Sequence, residues 1–96
     1  MRADYDKAAD TIQIELKPVD RLDGDFSEIP GILVGIRDQK PVLIDVIGTS
    51  ARIDERLRMA GEHFELDAEA LIAAARAALS APNRAITLDV ALHAAT

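Results

Sequence analysis

Ninety-six residues with a formal charge of −6 and no cysteine allow one domain and one core. The missing cysteines exclude a disulfide framework, a thiolate metal site and a cysteine nucleophile. The acidic balance disfavours sequence-independent nucleic-acid binding and anionic membrane surfaces, since both draw on clustered Lys and Arg.

Apolar residues make up 49% of the chain, which argues against disorder, but only Tyr5, Phe26 and Phe64 are aromatic, so the core is expected to be aliphatic. The charged opening, residues 1–7, lacks the apolar segment of a signal peptide. Asp45 and Arg76 interrupt the longest apolar stretches well short of a membrane span. A cytoplasmic protein is expected.

In chain order, residues 3–5 read as a short strand and residues 6–10 as a tight connection. In residues 11–16, Ile12, Ile14 and Leu16 alternate with Thr11, Gln13 and Glu15, the pattern of a strand with one wet face, so the pair predicts a hairpin. Residues 17–31 hold Pro18, Gly24 and Pro30 among the acids Asp20, Asp23, Asp25 and Glu28, and read as a loop. Residues 32–37 and 42–47 are almost continuously apolar around Asp38-Gln39-Lys40-Pro41, which predicts a second hairpin covered on both faces.

Thr49 or Ser50 can cap a following helix, in which Ile53, Leu57, Ala60 and Phe64 recur at helical spacing. Arg52, Asp54, Glu55, Arg56 and Arg58 face water, and Gly61 weakens the last turn. Asp67 is a natural cap for a second helix over 68–81, with Leu66 and Leu71 as a hydrophobic staple and Pro82-Asn83 as the stop. The stripe Ala70, Ala73, Ala74, Ala77, Ala78 suits close packing on a sheet or a second helix. Ile86, Leu88, Val90 and Leu92 then share one face of a closing strand.

The expected fold is α+β: an antiparallel β-sheet in the order ββββααβ, with two helices packed on one face. One domain spans 1–96, with the hairpins in 1–48, the helices in 49–81 and the last strand in 84–93. Two helices out and back return the chain so that the last strand runs antiparallel to the fourth, and adjacency to it is the shortest solution.

The run Tyr5-Asp6-Lys7-Ala8-Ala9-Asp10-Thr11-Ile12-Gln13-Ile14 resembles the opening Tyr-Asp-x-x-Ala-Asp-x-Leu-Tyr-Ile of a widespread bacterial family of small domains of unknown function. Residues 42–50 are similar to that family's Val-Gly-Ile-Glu-Ile-Leu-Asp-Ala-Ser segment, with Asp45 at the Glu and Ser50 at the Ser. Gln13, Leu43 and Gly48 stand where the family favours Tyr, Gly and Asp. The likeness covers the first half of the chain, and the helices and last strand look like an extension. The resemblance implies no activity or cofactor. Gene pairing of some members with small ribonuclease-type toxins implies an antitoxin-like role in protein binding.

The polar candidates have structural explanations. Asp6 and Asp10 are expected to bond the backbone of their own turn while Tyr5 packs its ring, in preference to forming a cation site or acid–base pair. The loop Asp20, Asp23, Gly24, Asp25, Glu28 fails as a calcium loop, because Val19, Arg21 and Pro30 occupy ligand positions. His63 and His93 lie in no metal-binding frame; His63 is expected to meet free helix-end carbonyls and His93 to be a surface residue. Ser27, Ser50 and Ser80 have turn or helix-end roles, and no glycine cluster cradles phosphate. Asp45, in an apolar strand, is expected to pair with Arg37 across its hairpin.

No catalytic, cofactor-binding or metal residue follows from this sequence, which reads as a non-enzymatic protein-interaction module. The expected partner is a second copy in a homodimer, with a small basic protein as a further candidate. The dimer is argued from Val42, Ile44 and Val46 on one side of the fourth strand and Leu43 and Ile47 on the other, since two helices cover one side only. In a monomer, the loop 17–31 would instead lay Val19, Leu22, Phe26 and Ile29 over the second side. The alternative function is a small-ligand-binding or enzymatic domain whose site assembles at a dimer interface around Asp45, Tyr5 or His63.

Overall fold

The alternating residues 11–16 and the almost continuously apolar residues 42–47 form two strands that lie side by side. The computed structural model describes residues 1–48 and 52–88. In chain order its elements are β1 (Arg2–Asp6), β2 (Thr11–Glu15), β3 (Gly24–Phe26), β4 (Ile32–Arg37), β5 (Lys40–Ile47), α1 (Ile53–Phe64), α2 (Ala68–Leu79) and β6 (Ile86–Thr87). They form one antiparallel sheet, ordered β3-β4-β5-β2-β1-β6 in space, with both helices on one face. The fold is α+β with the expected succession of two hairpins, two helices and a closing strand. The short β3, formed inside the stretch read as a loop, adds an edge strand.

The first hairpin pairs Arg2 with Glu15 through Asp6 with Thr11. The second turns on two residues, Asp38 and Gln39, both at positive φ (53° and 65°). Two left-handed residues match the twist of the flanking strands, so Lys40 and Pro41 belong to β5 and not to the connection. Pro41 sits beside the register shift between Gly35 and Ile36, where an interrupted ladder tolerates a missing N–H. Asp23 N–H donates to the Ile36 carbonyl at 2.7 Å and starts β3 along the free edge of β4. Three residues are too few for any periodic signal.

The last strand corrects one expectation. The ladders make β6 antiparallel to β5 in direction, as argued, but its neighbour is β1. Both edges of β5 are occupied, by β4 and β2. Asn83, at φ 62°, secures the alternative: its N–H donates to the Tyr5 carbonyl at 2.7 Å, and its Oδ1 accepts from Lys7 N–H at 3.2 Å. The turn after α2 is thereby fastened to the end of β1 and delivers β6 to that open edge. His93 and the rest of the expected closing strand beyond Leu88 lie outside the described residues.

The core is aliphatic. Ile12, Ile14, Val34, Ile44 and Val46 of the sheet are fully buried against Leu57 and Ala60 of α1 and Leu71, Ala74, Ala75 and Ala78 of α2. The small-residue face of α2 therefore includes Ala75, while Ala73 is exposed and Ala77 half-buried. Gly61 is a packing residue: a Cβ there would stand 3.0 Å from the Ala68 Cβ and 3.0 Å from the Leu66 carbonyl oxygen, so its absence lets the helices close together. Thr49 and Ser50, the expected caps of α1, lie outside the described residues. The helix starts after Arg52, in the left-handed conformation and without a side-chain cap.

Arg56 does not face water. Its guanidinium lies over Gly31 and donates to the carbonyls of Ile47 and Gly48, each at 3.2 Å, tying α1 to the end of β5. Gly31, at φ 74°, leaves room for it. Asp67 caps α2 as expected, accepting from the N–H groups of Glu69 (3.0 Å) and Ala70 (3.3 Å), while Leu66 and Leu71 both join the core.

Asp67→Ala should cost about 1 kcal/mol, through the freed first-turn N–H groups and the lost charge–dipole attraction. A urea midpoint unchanged at constant slope would contradict that role. Gly61→Ala should also destabilise, although alanine gains about 1 kcal/mol in helix propensity. The groups its methyl would meet include α2 backbone that cannot give way without moving the helix. A raised midpoint would show that the helix pair can relax.

Candidate functional site

The strand period that buries one face of the sheet puts every other side chain on the opposite face, which neither helix covers. Three rows cross it in register. Arg2, Glu15, Leu43, Gly35 and Asp25 form one, from β1 to β3. Asp4, Gln13, Asp45 and Leu33 form the next. Asp6, Thr11 and Ile47 form the third. Leu33 and Leu43 are half-buried, whereas Ile47 is 55% and Leu22 43% exposed. Leu22 lies over Gly35, where a Cβ would meet its methyl carbons at 2.8 and 2.9 Å, so the glycine admits Leu22 to the sheet surface.

The expected lid thus divides. Leu22 joins the outer face, and Phe26 and Ile29 join the helix-side core. An apolar strip of Leu22, Leu33, Leu43 and Ile47 remains on the outer face with Asp45 among its members.

Asp45 does not pair with Arg37. The register opposes Asp45 to Leu33 on one side and Gln13 on the other, while Arg37 stands opposite Lys40 at the hairpin tip. Gln13 Nε2 donates to Asp45 Oδ1 at 3.3 Å. Burial among the strip residues pushes the Asp45 carboxyl above the ordinary aspartate value; the Gln13 hydrogen bond opposes the rise and the Asp4 charge adds to it. Arg37 lies 3.6 Å from Asp23 and 3.8 Å from Asp38, and Asp23 accepts from Asp38 N–H at 2.7 Å, which braces the tip against the β3 segment.

The other polar candidates serve the fold. Asp6 accepts from Ala9 N–H at 3.2 Å, as expected, and Asp10 accepts from the Tyr5 hydroxyl at 2.9 Å. His63 stacks on Phe26, with centroids 4.4 Å apart, and meets Phe64 edge-on at 4.7 Å, in place of the helix-end carbonyl role expected of it. Ser80 Oγ donates to the Ala77 carbonyl at the end of α2, Ser27 is exposed, and Ser50 lies outside the described residues.

Within one chain, Tyr5, Asp45 and His63 do not converge. Asp45 is on the outer face, Tyr5 packs on the helix side at β1, and His63 lies against Phe26 of β3 at the other end of the sheet. Among the described residues no three His, Asp or Glu side chains gather to hold a metal ion, and no helix is long and apolar enough to cross a membrane.

Sequence reasoning missed the row Asp4–Gln13–Asp45. The available signal was that each occupies a polar position in its strand. The missing information was the pairing of β2 with β5. No family model, no curated protein and no solved structure matches the chain.

The causes acting on Asp45 have separable signs. In a carbon-detected NMR titration its midpoint should lie above that of an ordinary aspartate, rise further in Gln13→Ala and fall in Asp4→Asn. Because the folded value lies above the unfolded one, ionised Asp45 opposes folding at neutral pH, and this penalty disappears as acid protonates it. Asp45→Asn should therefore stabilise the protein at neutral pH, with the gain fading as pH falls through the range where wild-type Asp45 takes up its proton. A midpoint insensitive to both neighbours would refute the part of Gln13 and Asp4 in the shift and leave burial as its cause.

Proposed function

We propose that this chain is a non-enzymatic protein-interaction module working through the outer face of its sheet. The observation that carries the reading is the strip Leu22, Leu33, Leu43 and Ile47, apolar surface on a face that neither helix covers. Burying such surface releases on the order of 25 cal/mol per Å², and a contiguous strip around a half-buried carboxylate differs from scattered exposed leucines. The resemblance to the bacterial family supports the same class of role, as an antitoxin-like partner, and the absence of cysteine suits a cytoplasmic setting.

The second reading is a homodimer through this face, favoured by the exposure of Ile47 at the end of the strip. An enzymatic or ligand-binding site would instead require a second chain to bring Tyr5 or His63 near Asp45.

Light scattering coupled to size exclusion tests this second reading: a dimer through the face would show twice the chain mass and revert to one chain in Leu43→Glu and Ile47→Glu. Ile47→Glu should leave the folding midpoint within about 0.5 kcal/mol of wild type, because that side chain already meets solvent, whereas Leu43→Glu should lower it, because Leu43 is half-buried and stands opposite Glu15. Association that survives both would place the docking surface elsewhere on the molecule.

A further inference from the structure

We infer that the occupant of the outer face is a basic, amphipathic partner that sets a Lys or Arg against Asp45, rather than a second copy of this chain. The inference rests on the reading of that face as the docking surface. Its ground is the charge pattern of the three rows. Asp4, Asp6, Glu15, Asp25 and Asp45 stand on them, with Arg2, directly opposite Glu15 on β1, as the cation; Arg84 shares a cleft with Asp4 and Asp6 at the β1 edge, one that Asp45 does not line. Arg37 is held by Asp23 and Asp38 at the hairpin tip, with Lys40 opposite it, outside the rows.

Asp45 lies between Leu43 and Ile47 along β5 and beside Leu33 of β4. Any contact that covers the strip therefore covers this carboxylate as well. Gln13 offers it a neutral donor, and the next group in the row is Asp4, another acid.

A second copy stacked strip on strip would bring two Asp45 carboxylates into one interface, with Asp4 and no cation in either row. Taking unpaired charges out of water is costly, and neither copy supplies a cation in that row to offset it. A partner carrying a cation between apolar side chains meets the same surface with opposite charge and avoids that cost. Successive outward side chains on a strand stand about 7 Å apart. The sequence Leu43, Asp45, Ile47 therefore asks for an apolar–cationic–apolar alternation at that spacing.

The probe is a short synthetic peptide alternating leucine and arginine, with a leucine–glutamate counterpart as control, titrated into the full chain and followed by backbone NMR. The arginine peptide should shift the amides of β2, β4 and β5 around Gln13, Leu33 and Asp45, and the glutamate peptide should not. Asp45→Asn should weaken arginine-peptide binding about tenfold, the loss expected for one partly desolvated charge pair. Asp20→Asn removes the same charge from an exposed position in the acidic loop and should weaken it by less than about twofold.

Equal losses in the two variants would overturn the inference, since net charge would then explain the binding. A glutamate peptide that binds as well would also overturn it, as would a stable dimer in which Asp45→Asn strengthens association. Leu43→Ser, which removes apolar surface without adding charge, separates the two levels. If it abolishes peptide binding while Asp45→Asn does not, the docking face stands and the cationic partner falls. If binding is indifferent to Leu43→Ser, the docking face itself is wrong.

Discussion

The ladder between β2 and β5 is the constraint on which the rest of the molecule depends. It joins two hairpins that are each local in sequence, and sets Ile12 beside Val46 and Ile14 beside Ile44, all fully buried. Backbone bonds extend it at both ends: Leu16 N–H reaches the Val42 carbonyl and Gly48 N–H the Asp10 carbonyl. A slip of β2 by one residue would turn Gln13 toward the helix-covered core and expose Ile12 and Ile14, a loss comparable with the whole stability of a small domain. The same register aligns Asp4, Gln13 and Asp45 on the outside, so the core and the candidate surface are set by one alignment.

The helices deepen the asymmetry between the two faces. The alanines of α2 and the absent Cβ at Gly61 let the pair lie close together over β1, β2 and β5. Their buried residues are consumed on that side. Leu22, brought down over Gly35, covers only part of the outer face. The uncovered strip is thus a consequence of having two helices for a six-stranded sheet.

The acidic residues divide between these environments. Asp6, Asp23 and Asp67 each satisfy a backbone N–H at a turn or a helix start, and so secure local structure. Asp54 and Glu69 make ion pairs with Arg76 and Arg58 between the two helices, at exposed positions where such pairs contribute little. Asp45 differs from all of these. Its hydrogen-bond donor is a neutral amide, and the neighbouring charge that acts on it is another acid, Asp4.

The local features were legible in the chain itself: the alternation of residues 11–16, the cap at Asp67, the aliphatic character of the core and the α+β class. Each depends on neighbours within a few residues, through strand period, capping or composition. Distant pairing was not legible. The two-residue turn at Asp38-Gln39 was hidden because residues other than glycine hold its left-handed conformations. The position of β6 beside β1 depends on hydrogen bonds from Asn83 across the fold to Tyr5 and Lys7. The partner of Asp45 was misassigned for the same reason. Opposite charges in one hairpin suggest a pair, but inter-strand register decides which side chains stand opposite, and that register follows from burying the isoleucines of β2 and β5 together. Only the tertiary structure could put Gln13, rather than Arg37, beside Asp45.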